Sequence, residues 1–355
     1  NELMNTNTIL SKELLDLSIY AFHKKRTPER GRAFSALLNF STPYTHRSAS
    51  ALTSMVIDSH FEVHWGGKRV KMSGVGYVAS YPEYRGNGAI RGLMTELLRD
   101  NYEAGTVFSY LAPFSYEFYG KFGYHYAFEQ KLYRLPAQDF PQGRRTIGRV
   151  SREQISSKEH ATDGAVSPLM NSSETLTDLM KIHESAYNKG SLARSVEQWH
   201  YYFEYKSQPY FAVYREEGKA LGYLIYEFSG MDFVIRELIT LTDEAKQGLY
   251  RFIASHAGAF SEVVWQAPSD ATLEQDMREP QHAKISLLPY MQARIVNLDA
   301  FLESYGPPDF PVEIIDEILP ENNRIFGEGQ PEKMSIGEFT AKILRKEQAI
   351  LREYF

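Results

Sequence analysis

Cysteine is absent from the 355 residues. That excludes a disulfide, a thiolate metal site and a cysteine nucleophile, and it suits a reducing cytoplasm, the expected location. No run approaches the roughly 18 apolar residues of a membrane span. Residues 1–18 lack a basic stretch leading into an apolar core, so no signal peptide is expected. Lysine and arginine form no block, and 39 of them stand against 45 Asp and Glu, for a net charge of −6. Nucleic acid is therefore not an expected partner. The ten histidines are scattered. His60 and His64 have i,i+4 spacing, but they flank Phe61-Glu62-Val63, which alternates like a strand; no further ligands cluster nearby, and no metal site is expected.

What is present in excess is aromatic: 24 Tyr and 21 Phe. Core filling is the plain reading of that load, and pocket lining needs position to support it. The length calls for two or three domains. Residues 10–23 read as a helix, with Leu14, Leu15, Leu17, Ile19 and Phe22 as its apolar positions. Residues 52–65 read as a strand ending at the turn Gly66-Gly67-Lys68, and residues 70–81 as a second strand crossed by Gly74 and Gly76. After a glycine-containing loop, Ile90, Leu93, Met94, Leu97 and Leu98 follow helical spacing over residues 90–102. A short apolar strand at 107–112 and an aromatic stretch at 114–128 follow. Strand, loop, helix, strand is the order of an α/β unit.

Residues 132–143, with Pro136 and Pro141, read as a boundary, and residues 151–174 as polar surface loop. A second passage then echoes the first. A hairpin turns at Glu216-Glu217-Gly218, residues 233–241 form a strand, residues 243–256 a helix with Ala245, Leu249, Tyr250 and Ile253 on one face, and residues 263–266 a closing strand. No Gly-rich loop joins Leu241 to that helix, so this copy reads as degenerate. In the third region Ala293-Arg294-Ile295-Val296 is strand-like, residues 298–303 form a short helix, and residues 334–344 form another with Ser335 as N-cap. The expected domains are 1–131, 132–288 and 289–355.

The chemistry concentrates in Val78-Ala79-Ser80-Tyr81-Pro82-Glu83-Tyr84-Arg85-Gly86-Asn87-Gly88-Ala89-Ile90-Arg91-Gly92-Leu93-Met94. A strand runs through a glycine turn into a helix, where orphan N–H groups and the helix dipole favour an anion. Gly86 and Gly88 permit close approach of a phosphate, and Arg85 and Arg91 add positive charge. Two turn glycines alone make an ordinary connection, and the dinucleotide fingerprint is not matched. The whole pattern resembles the GNAT superfamily of N-acetyltransferases, whose loop reads Arg/Gln-x-x-Gly-x-Gly/Ala: Arg85 and Gly88 match, and Ile90 departs at the last position. That departure resembles a narrower group, the enhanced intracellular survival type, whose loop continues as in Gly88-Ala89-Ile90-Arg91-Gly92-Leu93-Met94. Phe118-Tyr119-Gly120-Lys121-Phe122-Gly123-Tyr124 is similar to a second motif of that group.

The resemblance implies an α/β fold of two acetyltransferase-like lobes, the second degenerate, followed by a sterol-carrier-like C-terminal domain. It implies acetyl-coenzyme A as co-substrate, with no metal, and a primary amine of a cationic, aminoglycoside-like small molecule or of lysine as acceptor. Val78, Ala79 and Ser80 would offer backbone groups to the pantetheine amides. Gly86, Asn87, Gly88, Ala89, Ile90 and Arg91, with Arg85, would wrap the pyrophosphate. Phe114 and Ser115 would sit beside the thioester arm. Tyr119 would be the general acid that protonates the leaving thiolate, and the carboxylate of Phe355 the general base. A homo-oligomer, in one form a hexamer, is implied as well. Read without the resemblance, Tyr119 is one more core aromatic and Phe355 a frayed end. Two rival readings stand beside the main one: a longer-chain N-acyltransferase, and a non-catalytic regulatory protein binding coenzyme A or lipid.

Overall fold

The computed structural model describes the backbone of residues 2–155 and 173–353, and the side chains of residues 8–155 and 174–353. In chain order it forms α1 (Glu2–Ala21), α2 (Pro28–Leu38), β1 (Ser41–Ser48), β2 (Ala51–Trp65), β3 (Lys68–Ser80), α3 (Ala89–Glu103), β4 (Phe108–Leu111), α4 (Tyr116–Gly120), β5 (His125–Pro136) and β6 (Arg149–Glu153). Then come α5 (Ser173–Ser185), α6 (Val196–His200), a π-helical turn (Tyr201–Tyr205), β7 (Tyr210–Glu216), β8 (Lys219–Ser229), β9 (Asp232–Thr240), α7 (Asp243–Ala254) and β10 (Glu262–Pro268). The last elements are β11 (Lys284–Ile295), α8 (Leu298–Tyr305), β12 (Val312–Ile315), β13 (Arg324–Phe326), β14 (Glu332–Ser335) and α9 (Ile336–Lys346).

Two compact units emerge, and neither is continuous in sequence. The first holds residues 1–128, 192–206 and 290–349; the second holds residues 129–191, 207–289 and 350–355. In the first, the strands run β1-β2-β3-β4-β11. The β3 and β4 strands are parallel and every other pair in that run is antiparallel. A parallel pair needs a crossover, and α3 supplies it. Its apolar stripe Leu93, Met94, Leu97 and Leu98 enters a core with Val56, Val75 and Leu111. A separate three-stranded sheet, β13-β12-β14, closes the unit's C-terminal portion.

In the second unit the strands run β5-β10-β9-β8-β7-β6. Again one pair is parallel, β9 and β10, and a helix, α7, crosses between them. The core gathers Tyr214, Tyr226, Phe233, Leu249, Ile253 and Trp265. The repetition of strand, helix and parallel strand expected from the sequence is present in both units.

The boundary expected at residues 132–143 is in part a strand: β5 runs on to Pro136 and pairs with β10 from Gln130 to Pro136. Pro136 is tolerated because it ends the strand. The expected polar loop at 151–174 begins inside β6, ends inside α5, and otherwise lies outside the described residues. The α2 helix is not among the expected elements, although Thr27-Pro28 announces it. Thr27 is its N-cap, with Oγ1 accepting from Arg30 N at 3.1 Å, and Pro28 stands in the first turn. Ser335 caps α9 as expected, its Oγ accepting from Glu338 N at 3.0 Å.

Candidate active site

The β2–β3 ladder is regular up to Ile57↔Gly76 and resumes at Met55↔Ala79. Val56 thus opposes two residues, Tyr77 and Val78, and the bulge holds Tyr77 at φ +50. The Tyr77 ring lies edge-on to Phe22 and Phe34, at 5.8 and 5.5 Å. On its other side β3 pairs with β4 only from Met72↔Phe108 to Val75↔Leu111. Residues 76–80 therefore extend past the last rung shared with β4, which ends at Leu111, and Val78, Ala79 and Ser80 lie in that overhang. These three residues are the ones expected from the sequence, whereas the bulge is not among the expected features; Gly76 inside the strand pattern is its local signal.

A short 3-10 turn (Pro82–Tyr84) leads from β3 to the loop. Gly86 and Gly88 both take φ +79, the left-handed region, and Gly88 is the N-cap of α3. A Cβ at either would meet nothing within 4 Å, so conformation alone, not crowding, demands glycine there. Among the described residues, only the Ala89 N–H has a partner in the run 86–91: it donates to Asn87 Oδ1 at 3.0 Å. The first turn of α3 carries no acidic residue. Arg85 and Arg91 are exposed and make no ion pair among the described residues. Open N–H groups, a helix N-terminus and two free guanidiniums make a nest for a polyanion.

The corresponding place in the second unit is built differently. Thr242 caps α7 with its own hydroxyl, which accepts from Ala245 N at 3.1 Å, and Asp243 and Glu244 follow in the first turn. A side-chain oxygen and two carboxylates hold the positions an anion would need. Equivalent folds thus carry opposite electrostatics at the start of the crossover helix.

Tyr119 sits in the single-turn helix α4. Ser115 is the N-cap, its Oγ accepting from Phe118 N at 3.1 Å. Phe114, just ahead of it, is 73% exposed, whereas Tyr119 is buried. Its ring contacts Phe118 at 5.0 Å, Phe114 at 5.3 Å and Tyr124 at 6.4 Å. Burial, and secondarily the neighbouring Tyr124 hydroxyl, push the Tyr119 phenol well above its ordinary range. Among the described residues nothing hydrogen-bonds to that hydroxyl. Tyr119 shares one apolar cluster with Val78, Ile90, Phe118 and Leu93. The β3 end, the start of α3 and α4 therefore converge within the first unit. Phe355 lies outside the described residues, and its expected role as base finds no geometry here. No group of three or more His, Asp or Glu that could hold a metal is found among the described residues, and no described helix is long and apolar enough to cross a membrane.

A parallel strand pair in which β3 outruns β4, a crossover helix with an anion nest at its start, and a buried phenol beside both define an acyl-transferring fold, here present in two copies of which one keeps the nest. Comparison with known families agrees. Residues 7–127 match an acetyltransferase (GNAT) domain, and residues 190–295 match a second acetyltransferase (GNAT) domain. A protein of Enterococcus faecalis V583, of unknown function and named a probable N-acyltransferase, is 32% identical, with 97% of each chain covered and a TM-score of 0.82. The GCN5-related N-acetyltransferase of Anabaena variabilis ATCC 29413 is 20% identical, covering 96% of this chain and 91% of its own, with a TM-score of 0.76. Eis1 of Mycobacterium abscessus is 18% identical over 98% of this chain and 92% of its own, with a TM-score of 0.71. No curated protein matches the chain. The chain belongs to the GNAT acetyltransferases and is an acyltransferase with two GNAT domains and the fold of Eis1.

Proposed function

We propose that this chain is an N-acetyltransferase. It moves an acetyl group from acetyl-coenzyme A to a primary amine, of an aminoglycoside-like cation or of lysine, by direct transfer in a ternary complex. The observation that carries the reading is the run 86–91, where two left-handed glycines leave a row of N–H groups open beside Arg85 and Arg91. A pyrophosphate is the polyanion this nest suits. Val78, Ala79 and Ser80, past the last β3–β4 rung, offer strand backbone to the pantetheine amides, and Phe114 and Ser115 flank the thioester arm.

Bound there, acetyl-coenzyme A supplies the thioester. The neutral amine attacks its carbonyl carbon, the C–N bond forms, the C–S bond breaks, and sulfur leaves as thiolate. Tyr119 donates its phenolic proton toward that sulfur. An ordinary phenol near 10 and a thiol near 8.5 make full transfer uphill by about 2 kcal/mol, and burial of Tyr119 adds to the gap. Tyr119 therefore works chiefly as a hydrogen-bond donor held protonated while the bond breaks. The amine's proton passes to the carboxylate of Phe355, the base that the resemblance implies. The domain limits 1–131, 132–288 and 289–355, and a sterol-carrier-like nature for the last, belong to the same proposal.

The test is a thiol-release assay with acetyl- and long-chain acyl-coenzyme A against polyamines, aminoglycosides and lysine peptides. Acetyl transfer to amines is expected. Turnover only with long acyl chains would make this a different N-acyltransferase, and no turnover with any amine would overturn the reading. Tyr119→Phe should lower kcat about 10²–10⁴-fold, the usual contribution of a positioned acid, with cofactor affinity nearly intact.

A further inference from the structure

A one-turn helix has no stability of its own, because nucleation fixes several residues for a single hydrogen bond. The position of Tyr119 must therefore be set by what grips α4 from outside. Ser115 fixes its N–H end. The carbonyl ends are gripped by β11, a strand far away in sequence. Gln292 Nε2 donates to Tyr116 O at 3.1 Å, at the start of α4. Arg294 Nη1 donates to Phe122 O at 2.7 Å, just past its end. Residues two apart on a strand share a face, so one face of β11 holds both ends of the turn that carries the phenol.

Both side chains are almost wholly buried, and each departs from what packing alone would favour. Arg294 is fixed by Asp316, which it pairs with through Nη2, and by Ile295 O, to which Nε donates at 2.9 Å. Asp316 is held in turn by Asn322 Nδ2 at 2.9 Å and by the N–H groups of Ile318 and Leu319. Gln292 uses its amide nitrogen, but its Oε1 is buried and has no partner among the described residues. An apolar side chain of the same length would avoid that cost, so the retained amide points to a task for its donor half.

We propose that Gln292 and Arg294 are positioning residues for Tyr119, holding the two carbonyls that fix where its hydroxyl sits. The inference rests on the reading of Tyr119 as general acid. Displacing a reacting group by about 1 Å can cost about a hundredfold in rate. Gln292→Met keeps the volume and removes the unpaired oxygen. It should lower kcat about tenfold or more while leaving both KM values and the thermal midpoint near those of the parent. Arg294→Lys, which keeps a charge for Asp316 but loses the fork that reaches Phe122 O, should lower kcat in the same way; where it fails to fold, Gln292→Met decides alone. Added to Tyr119→Phe, Gln292→Met should have no further effect, because the two act as one unit. An unchanged kcat in Gln292→Met, or an equal fold-loss in both backgrounds, overturns the proposal and leaves the general acid standing. Full activity in Tyr119→Phe removes the general acid, and this inference with it.

Discussion

The Cβ that Gly123 lacks would stand 2.6 Å from Nη1 of Arg294. Gly123 also takes φ +87, where an L side chain is strained. Gly123→Ala thus combines two penalties, a left-handed cost of about 1–2 kcal/mol and displacement of a buried guanidinium. It should lower the thermal midpoint and kcat together, which calorimetry and the thiol-release assay read on one sample. A Gly123→Ala protein as stable as the parent would mean the turn relaxes freely.

Gly88 presents the contrary case. Its missing Cβ would meet nothing, so Gly88→Ala costs only the strain of φ +79, about 1–2 kcal/mol. The loop can shed that strain by moving, since it is exposed. The expected result is little loss of folding stability and a roughly tenfold weaker affinity for coenzyme A, a tenfold change corresponding to about 1.4 kcal/mol. Titration calorimetry with coenzyme A checks both parts, and Gly86→Ala should behave alike.

The elevated Tyr119 phenol sets a sign for the pH profile. A general acid works while protonated, and burial keeps this one protonated beyond its ordinary value near 10. The kcat profile should therefore show no falling limb from Tyr119 below about pH 10. A limb at pH 8–9 that vanishes in Tyr119→Phe would contradict the burial.

In the second unit Glu153 is buried, yet its carboxyl lies below the usual range. Burial raises it, but hydrogen bonds from Arg215, Ser151 and Thr175 and the Arg215 charge outweigh that effect. Arg215 Nη2 reaches Oε1 at 2.8 Å and Thr175 Oγ1 reaches it at 2.7 Å. With the native value depressed, the unfolded chain binds more protons, so the stabilisation is present above the ordinary carboxylate value and is lost as pH falls through the native one. Arg215→Met should cost about 3–5 kcal/mol near neutrality by stranding the charge. Glu153→Gln in the same chain should recover part of it, and the gap to the parent should narrow below about pH 4. Urea unfolding at several pH values measures each.

Much of the first unit was legible in residue order. The β2 and β3 strands, the α3 helix and its glycine loop fell within a residue or two of their expected limits, because alternation, helical spacing and capping act over a few positions. The parallel strand-helix-strand repeat in the second unit was legible for the same reason. The bulge at Tyr77 was not: a left-handed tyrosine is disfavoured locally and is held there by pairing with β2 and packing against Phe22 and Phe34. Nor was the pairing of β5 with β10 from Gln130 to Pro136, which makes part of an expected boundary a strand.

By itself the sequence determined the nest: Gly86 and Gly88 are needed wherever a chain turns left-handed into a helix, and Arg85 and Arg91 come with them. It also separated the two crossover helices, since Thr242, Asp243 and Glu244 occupy the start of α7. Only the tertiary structure decided what holds Tyr119. Gln292 and Arg294 reach α4 across 176 and 172 positions of chain. Contacts of that span leave no trace in a local pattern, because they depend on how distant strands pair and not on the conformations that neighbouring residues prefer.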